Sequence, residues 1–241
     1  MGVTASEFII EESDTDDAAA EIINEMLNAE QQYNVVKLPV SKPGLTRALQ
    51  QNGYSFMECM LSVTHSLNPS VIAAGEAVVK PGVTCLPMNG EDFELLRGEI
   101  KKGLFDTDRI FNDARFPKEA SARRYINWIN DERGRGASIY KLTAGINNGN
   151  EAIGFFCLKQ LNGDIYDTFL LGLYSGYKKQ GYGKNLIHGA LREIKRAGGR
   201  ALSTHVSSNN PASVKIFKAL GCEISEAVYV FVKHLVHHTL L

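Results

Sequence analysis

The chain has 241 residues, 44% of them hydrophobic, and its 26 basic and 27 acidic side chains leave a formal net charge of −1. That length can bury a substantial core in one large domain or in a small one joined to a medium one, and the nearly cancelled charge argues against a nucleic-acid groove or an anionic membrane surface as partner. Four scattered cysteines (Cys59, Cys85, Cys157 and Cys222) without paired spacing or a histidine companion point to reduced thiols. With no apolar run of membrane-spanning length and no signal peptide, the expectation is a cytoplasmic protein working on small molecules.

Met1-Gly2-Val3-Thr4-Ala5-Ser6 matches a myristoylation pattern, but no basic patch follows to supply the second signal that stable anchoring needs. Phe8 to Glu11 then reads as a short strand. The acids Asp14, Asp16 and Asp17 suit the first turn of a helix carrying Ile22, Ile23, Met26 and Leu27. Asn34 to Val40 reads as a strand, Pro43-Gly44 opens a helix through Leu49, and Gly53 leads into a longer strand where Met57, Cys59, Leu61 and Val63 share a face. Asn68-Pro69-Ser70 and Lys80-Pro81-Gly82 punctuate the chain after it and suggest a boundary near residue 80. From Thr84 the order is strand, helix, helix, then strands over Ser138–Leu142, Ala152–Gln160 and Asp164–Tyr174.

The most informative stretch follows, where the apolar run Thr168–Tyr174 passes into Tyr177-Lys178-Lys179-Gln180-Gly181-Tyr182-Gly183-Lys184. Leu186, Ile187, Ala190, Leu191, Ile194 and Ala197 then recur at helical spacing, with Gly198-Gly199 where a C-cap would sit. A helix that starts on bare glycine has unpaired N–H groups and the positive end of its dipole in the same place. With Lys178, Lys179 and Lys184 beside it, the turn suits phosphate oxygens and so a phosphorylated cofactor. It is no Walker A loop, because Gly176 is followed five places on by Gly181-Tyr182 rather than Gly-Lys. Nor is it a dinucleotide fingerprint, whose third glycine would fall at Leu186.

Lys178-x-x-Gly181-x-Gly183 resembles the Arg/Gln-x-x-Gly-x-Gly/Ala signature of the GNAT acetyltransferases. Downstream, Asn210-Pro211-Ala212-Ser213-Val214-Lys215-Ile216-Phe217-Lys218-Ala219-Leu220-Gly221-Cys222 resembles that family's second motif, and the strand Arg200–Val206 precedes it as in the family. The resemblance covers roughly residues 84 to 241 and implies an α/β (α+β) protein: a small N-terminal α/β domain over 1–80, related to a partial GNAT unit, and a GNAT domain over 81–241 with a mixed, mostly antiparallel, splayed sheet. It implies acetyl-CoA as cofactor, with the backbone of Leu171, Gly172 and Leu173 along the pantetheine arm. Lys178, Lys179, Gln180, Gly181, Tyr182, Gly183 and Lys184 would meet the pyrophosphate, and Asn210, Ser213 and Phe217 would lie on the cofactor side.

Three departures qualify it. Lys178 replaces the usual Arg or Gln and so loses planar bidentate bonding. Phe217 stands where the family places a tyrosine that protonates the departing thiolate, and a phenyl ring has no proton to give. Cys222 replaces a phenylalanine, a packing variation. Substitute acids are Tyr174 and Tyr229, and His205 is the candidate base, each weighed against a structural role. His237 and His238 read as tail, with no metal ligands implied.

The segment Arg109–Pro117 and the helix with Tyr125, Trp128 and Ile129 are similar to the matching region of the two-domain dTDP-fucosamine (nucleotide amino-sugar) N-acetyltransferases, which puts Arg115 and Phe116 forward as substrate contacts. The implied reaction is acetyl transfer to a primary amine of a small molecule, with a nucleotide-activated amino sugar as the leading acceptor and a polyamine, an antibiotic or a protein N-terminus as others. A non-catalytic acyl-CoA-binding module is the reading from a different class, and a homodimer is left open.

Overall fold

The computed structural model describes residues 4–15, 21, 24–25, 31–68, 76–146 and 149–235. Asp16, Asp17, Ile22, Ile23, Met26 and Leu27 of the expected helix, Met1–Val3 of the myristoylation pattern and the tail histidines His237 and His238 lie outside them. In chain order the elements are β1 (Ala5–Ile9), β2 (Tyr33–Pro39), α1 (Pro43–Gln51), β3 (Ser55–Ser66), β4 (Val83–Pro87), α2 (Gly90–Lys101), α3 (Arg109–Asn112) and α4 (Lys118–Gly134). Then come β5 (Ser138–Ile146), β6 (Gly149–Asn162), β7 (Ile165–Leu173), a 3-10 turn (Ser175–Tyr177), α5 (Gly183–Arg196), β8 (Ala201–Ser207), α6 (Pro211–Ala219) and β9 (Glu223–His234).

Two compact units divide the chain, and neither is contiguous: Met1–Leu61 with Ser207–Asn209 and Glu226–Leu241, and Ser62–Val206 with Asn210–Ser225. The expected boundary near residue 80 therefore lies elsewhere. The division falls inside β3, and the last strand returns to the first unit because β9 pairs antiparallel with β2, Val36 opposite Phe231. Punctuation by proline and glycine marks where an element stops, not where a distant strand will pair.

The first unit aligns β1 parallel to β2 and β2 antiparallel to β9, with α1 packed over them. Pro43 sits in the first turn of α1, where its missing N–H has no partner to lose, and the apolar face places Leu45 and Leu49 on Val36, Leu38 and Phe231.

In the second unit β4, β5, β6 and β7 run antiparallel in that order, and β8 lies parallel to β7. The mixed, mostly antiparallel open sheet is the expected one. α2 and α4 cover one face, burying Phe93, Leu96, Ile100 and Ile129 against Phe155, Phe169 and Leu170. α5 covers the other, where Leu186 meets Leu142 and Ile153. Phe155 and Phe156 point to opposite faces and are both fully buried, each burial contributing about 1.5 to 3 kcal/mol. α5 approaches closely at Gly189, where a Cβ would stand 2.5 Å from Cys85 Sγ. Gly154 does the same for β6 and β7, since a Cβ there would stand 2.6 Å from the Gly172 carbonyl oxygen.

Among the described residues no helix is long and apolar enough to cross a membrane.

Candidate functional site

β7 and β8 part company. They pair only at Ile165 with Ala201 and Tyr166 with Leu202, and the Thr204 hydroxyl donates to the Thr168 carbonyl at 3.0 Å as the last tie. Beyond it the far half of β7 keeps β6 on one side only, Gly154 opposite Leu173 and Phe156 opposite Leu171. Tyr174 N–H donates to Ile153 O on the β6 side. Backbone polar groups alternate along a strand, so Gly172 also faces β6, as its carbonyl beside Gly154 requires, while Leu171 and Leu173 turn their N–H and C=O toward the gap. An edge of this kind leaves donors and acceptors open for an extended ligand. Of the three residues expected along the pantetheine arm, Leu171 and Leu173 face the gap and Gly172 does not.

At the end of β7 lies the glycine turn. Gly181 has φ +85 and Lys179 has φ +62, the left-handed region that a lysine enters only under constraint. Gln180 Nε2 donates to Gly176 O at 2.7 Å and braces the loop. α5 then begins at Gly183 with no side chain capping it; Asn185 N–H donates to Tyr182 O at 3.0 Å, and the amides of Gly183 and Lys184 before it are turned to an anion at the helix start. A Cβ at Gly183 would run into Cδ1 of Ile216 on α6, so the end of that side chain would have to turn aside. Lys178 turns away: its ammonium lies 3.2 Å from Leu104 O and 4.0 Å from Asp106 Oδ2. Lys179 is exposed and Lys184 half-buried.

The second motif is structural at its start. Asn210 caps α6, its side-chain oxygen accepting from Ser213 N–H at 3.1 Å. Phe217 is buried at 2% exposure.

The expected acid and base candidates are scattered. Tyr174 is buried, and its hydroxyl has no hydrogen-bond partner among the described residues. Burial, with the negative charges of Asp92 and Glu99 behind it, pushes that phenol well above its ordinary range, making it a poor donor to a thiolate. Tyr229 belongs to the first unit, where its ring meets Phe56 at 5.6 Å and Phe231 at 6.4 Å. His205 is exposed on β8, close enough to act on Asp167.

Asp167 escaped the sequence reading. It sits on β7 just before the strands part, and its Oδ1 is buried without a hydrogen-bond partner among the described residues. Burial raises its pKa, offset in part by the neighbouring Thr204 hydroxyl and the charges of Lys159 and His205, while Glu132 adds to the rise. Lys159 Nζ stands 3.9 Å from Asp167 Oδ2 and 3.5 Å from Glu132 Oε1. A carboxylate so placed holds a proton more readily than an exposed one, as a general base requires. A charged residue inside an otherwise apolar strand was the available signal. Glu99 ties α2 to the turn after β7 by accepting from Ser175 N–H at 3.0 Å. Burial would raise its carboxyl, but hydrogen bonds from Lys102 and Ser175 outweigh that and hold it below the usual range.

A cavity of about 370 Å³ opens between the end of α2, the following loop and α4, lined among others by Phe105, Asp106, Phe111, Lys118 and Tyr125. Behind the lining residue Ser121, Asp108 caps α3 and accepts from Ser121 Oγ and Arg124 Nη1, each at 2.8 Å. Arg115 is exposed and lies outside the cavity lining, while Phe116 is buried at 7% exposure and has no open face for stacking a base. None of the four cysteines is disulfide-bonded, and burial pushes Cys85 up to about 11 and Cys222 up to about 12, so neither is a ready nucleophile.

Residues 104–222 match the model of the acetyltransferase (GNAT) family. The chain carries a GNAT-family acetyltransferase domain. The family uses acetyl-CoA, and in this GNAT domain the parted strands and the glycine turn lie inside the matched residues. Among curated relatives, mycothiol acetyltransferase of Corynebacterium glutamicum is 28% identical over 86 residues, covering 36% of this chain and 30% of that protein. The chain thus spans about a third of that relative's length. Among solved structures, a conserved protein of unknown function from Staphylococcus epidermidis aligns with a TM-score of 0.65 at 13% identity, covering 95% of this chain and 84% of that one. A tandem GNAT protein from the clavulanic acid biosynthesis pathway aligns with a TM-score of 0.60 at 13% identity, covering 90% and 69%. At such identities these structures share the fold.

Proposed function

We propose that the chain is an N-acetyltransferase that moves an acetyl group from acetyl-CoA to the primary amine of a small molecule. The observation that carries this reading is the parting of β7 and β8, with open backbone groups of Leu171 and Leu173 on one side and an uncapped glycine-start helix at its end. The partial likeness to mycothiol acetyltransferases supports the same class of reaction.

Acetyl-CoA supplies the activated thioester. The Gly183 and Lys184 amides at the start of α5 would hold its pyrophosphate, and the edge of β7 would orient the pantetheine arm and place an N–H against the acetyl oxygen, where negative charge builds up. Asp167 would take the proton that the amine must lose, either directly or through one water. No residue need protonate the leaving sulfur: a thiol pKa of roughly 8.5 makes its anion a tolerable leaving group near neutrality, so the buried Phe217 is compatible with catalysis. The acceptor would enter on the α2–α4 side, where the cavity lies. A nucleotide-linked amino sugar is the preferred acceptor, on the likeness of the Arg109–Pro117 segment, and a formal charge of −1 gives no field for drawing in polycations.

Thiol release from acetyl-CoA, measured against nucleotide amino sugars, polyamines and peptide N-termini, tests this directly. Turnover well above hydrolysis with one class is the expected result. Tight acetyl-CoA binding without turnover on any amine would select the second reading, a non-catalytic acyl-CoA-binding module, which the loss of the tyrosine at Phe217 favours.

A further inference from the structure

The glycine turn has a cation that its own motif does not supply. Lys178, the basic residue within the signature, is held by Leu104 O and Asp106 and points away from the turn. Lys80 arrives instead, from the segment that leads into β4. Its ammonium lies 4.4 Å from the centre of the Tyr182 ring, and its Cε is 3.3 Å from where a Cβ on Gly181 would stand. It is exposed and has no carboxylate partner among the described residues.

Its position is built rather than incidental. Asn185, buried at 6% exposure in the first turn of α5, grips the Lys80 backbone at both ends. Lys80 N–H donates to Asn185 Oδ1 at 3.2 Å, and Asn185 Nδ2 donates to Lys80 O at 2.9 Å. The anchor of the cation and the uncapped amides of Gly183 and Lys184 therefore belong to one helix turn. A phenol ring is a weak partner for an exposed ammonium, and a phosphate oxygen is a stronger one within the reach of the same side chain.

We infer that Lys80 is a pyrophosphate ligand of the acetyl-CoA site, taking the place of the Arg or Gln of the family signature, with Asn185 as its positioning residue. This rests on the acetyl-CoA reading above. A Cβ at Gly181 would press lightly on the lysine stem at 3.3 Å from Cε, on top of the backbone strain set by its positive φ.

The test is calorimetric binding of acetyl-CoA, CoA and dephospho-CoA to the full chain and its variants. Lys80→Met should raise Kd about tenfold for all three ligands, as expected for one charge-assisted bond to phosphate, and Lys80→Arg should restore affinity to within about threefold of the wild type. Asn185→Ala should weaken binding less, and the Lys80→Met/Asn185→Ala double variant should bind no more weakly than Lys80→Met alone, because the asparagine acts through the lysine. Wild-type binding that Lys80→Met leaves unchanged would overturn the assignment while sparing the cofactor reading. A penalty for CoA that disappears with dephospho-CoA would overturn it too, placing the lysine on the 3′-phosphate. No wild-type binding of any of the three would overturn both.

Discussion

Gly183 and Ile216 are packed so closely that a Cβ on the glycine would meet Ile216 Cδ1, the end of a side chain that must then take another rotamer. The second glycine of the cofactor turn is thereby also the point at which α5 meets α6. Gly183→Val should therefore destabilise the fold by about 1 to 3 kcal/mol, the usual cost of overpacking, as well as weakening acetyl-CoA binding. Thermal melts of Gly183→Val with and without Ile216→Ala check this, and the second substitution should recover part of the lost stability. A Gly183→Val protein as stable as the wild type would show that α6 yields at no cost.

Asp167 links stability to activity in opposite directions. Its folded-state pKa is raised, so the stability it contributes is present below the ordinary carboxylate pKa and is lost as pH climbs through the raised value. At neutral pH the ionised group is a burden on the fold. Asp167→Asn should raise the melting temperature at pH 7, lose that advantage at pH 4, and lower kcat/KM by roughly a hundredfold to ten-thousandfold, the range for loss of a general base. The acid limb of the wild-type rate profile should vanish with it. A fall in rate together with a lower melting temperature at pH 7 would mean that the carboxylate serves packing and not proton transfer.

Tyr174 gives a sharper contrast. Its hydroxyl is buried without a hydrogen-bond partner among the described residues, so Tyr174→Phe removes an unmet polar group and should leave stability equal or slightly higher. Since the phenol is pushed far above a thiol, the rate of thiol release should change by less than about threefold. Steady-state kinetics of Tyr174→Phe beside Tyr229→Phe decide it, and a tenfold loss in either would restore a tyrosine acid to the mechanism.

Arg115 is exposed, and its backbone N–H is held by Asp113 Oδ1 at 3.0 Å, so the loop that carries it is ordered by a neighbour and the guanidinium is available to a substrate anion. Arg115→Ala should raise the acceptor KM by roughly five- to a hundredfold, equivalent to one charge-assisted bond, and leave the acetyl-CoA Kd alone. An acceptor KM that stays put would remove this residue from the nucleotide-sugar reading.

Local signals in the sequence carried well into the structure. The start of α5 was expected at Gly181 and is found at Gly183, and Gly198 adopts the left-handed φ of +84 that ends such a helix. α1 begins at Pro43 and α6 after the Asn210 cap, both as their residue chemistry dictates. What stayed hidden depends on contacts between distant residues. The lysine signature at 178 gave no hint that Leu104 and Asp106 would claim the ammonium, nor that Lys80 would stand at the turn in its stead. Phe116 looked like a loop aromatic available for stacking, but the surrounding side chains bury it. The family resemblance sets Gly172 beside Leu171 and Leu173 along the pantetheine arm, and only the pairing with β6 shows that its backbone is turned the other way.

The return of β9 to β2 has a consequence for how the molecule is made. Apart from Asn210–Ser225, the second unit is one uninterrupted stretch, whereas the first is completed by Tyr33 pairing with His234 from opposite ends of the sequence. On the ribosome the second unit can begin to condense while β2 still waits for its partner, with the bare side of a half-built sheet exposed throughout elongation. High contact order of this kind slows folding, so the first unit should be the last to acquire protection from hydrogen exchange.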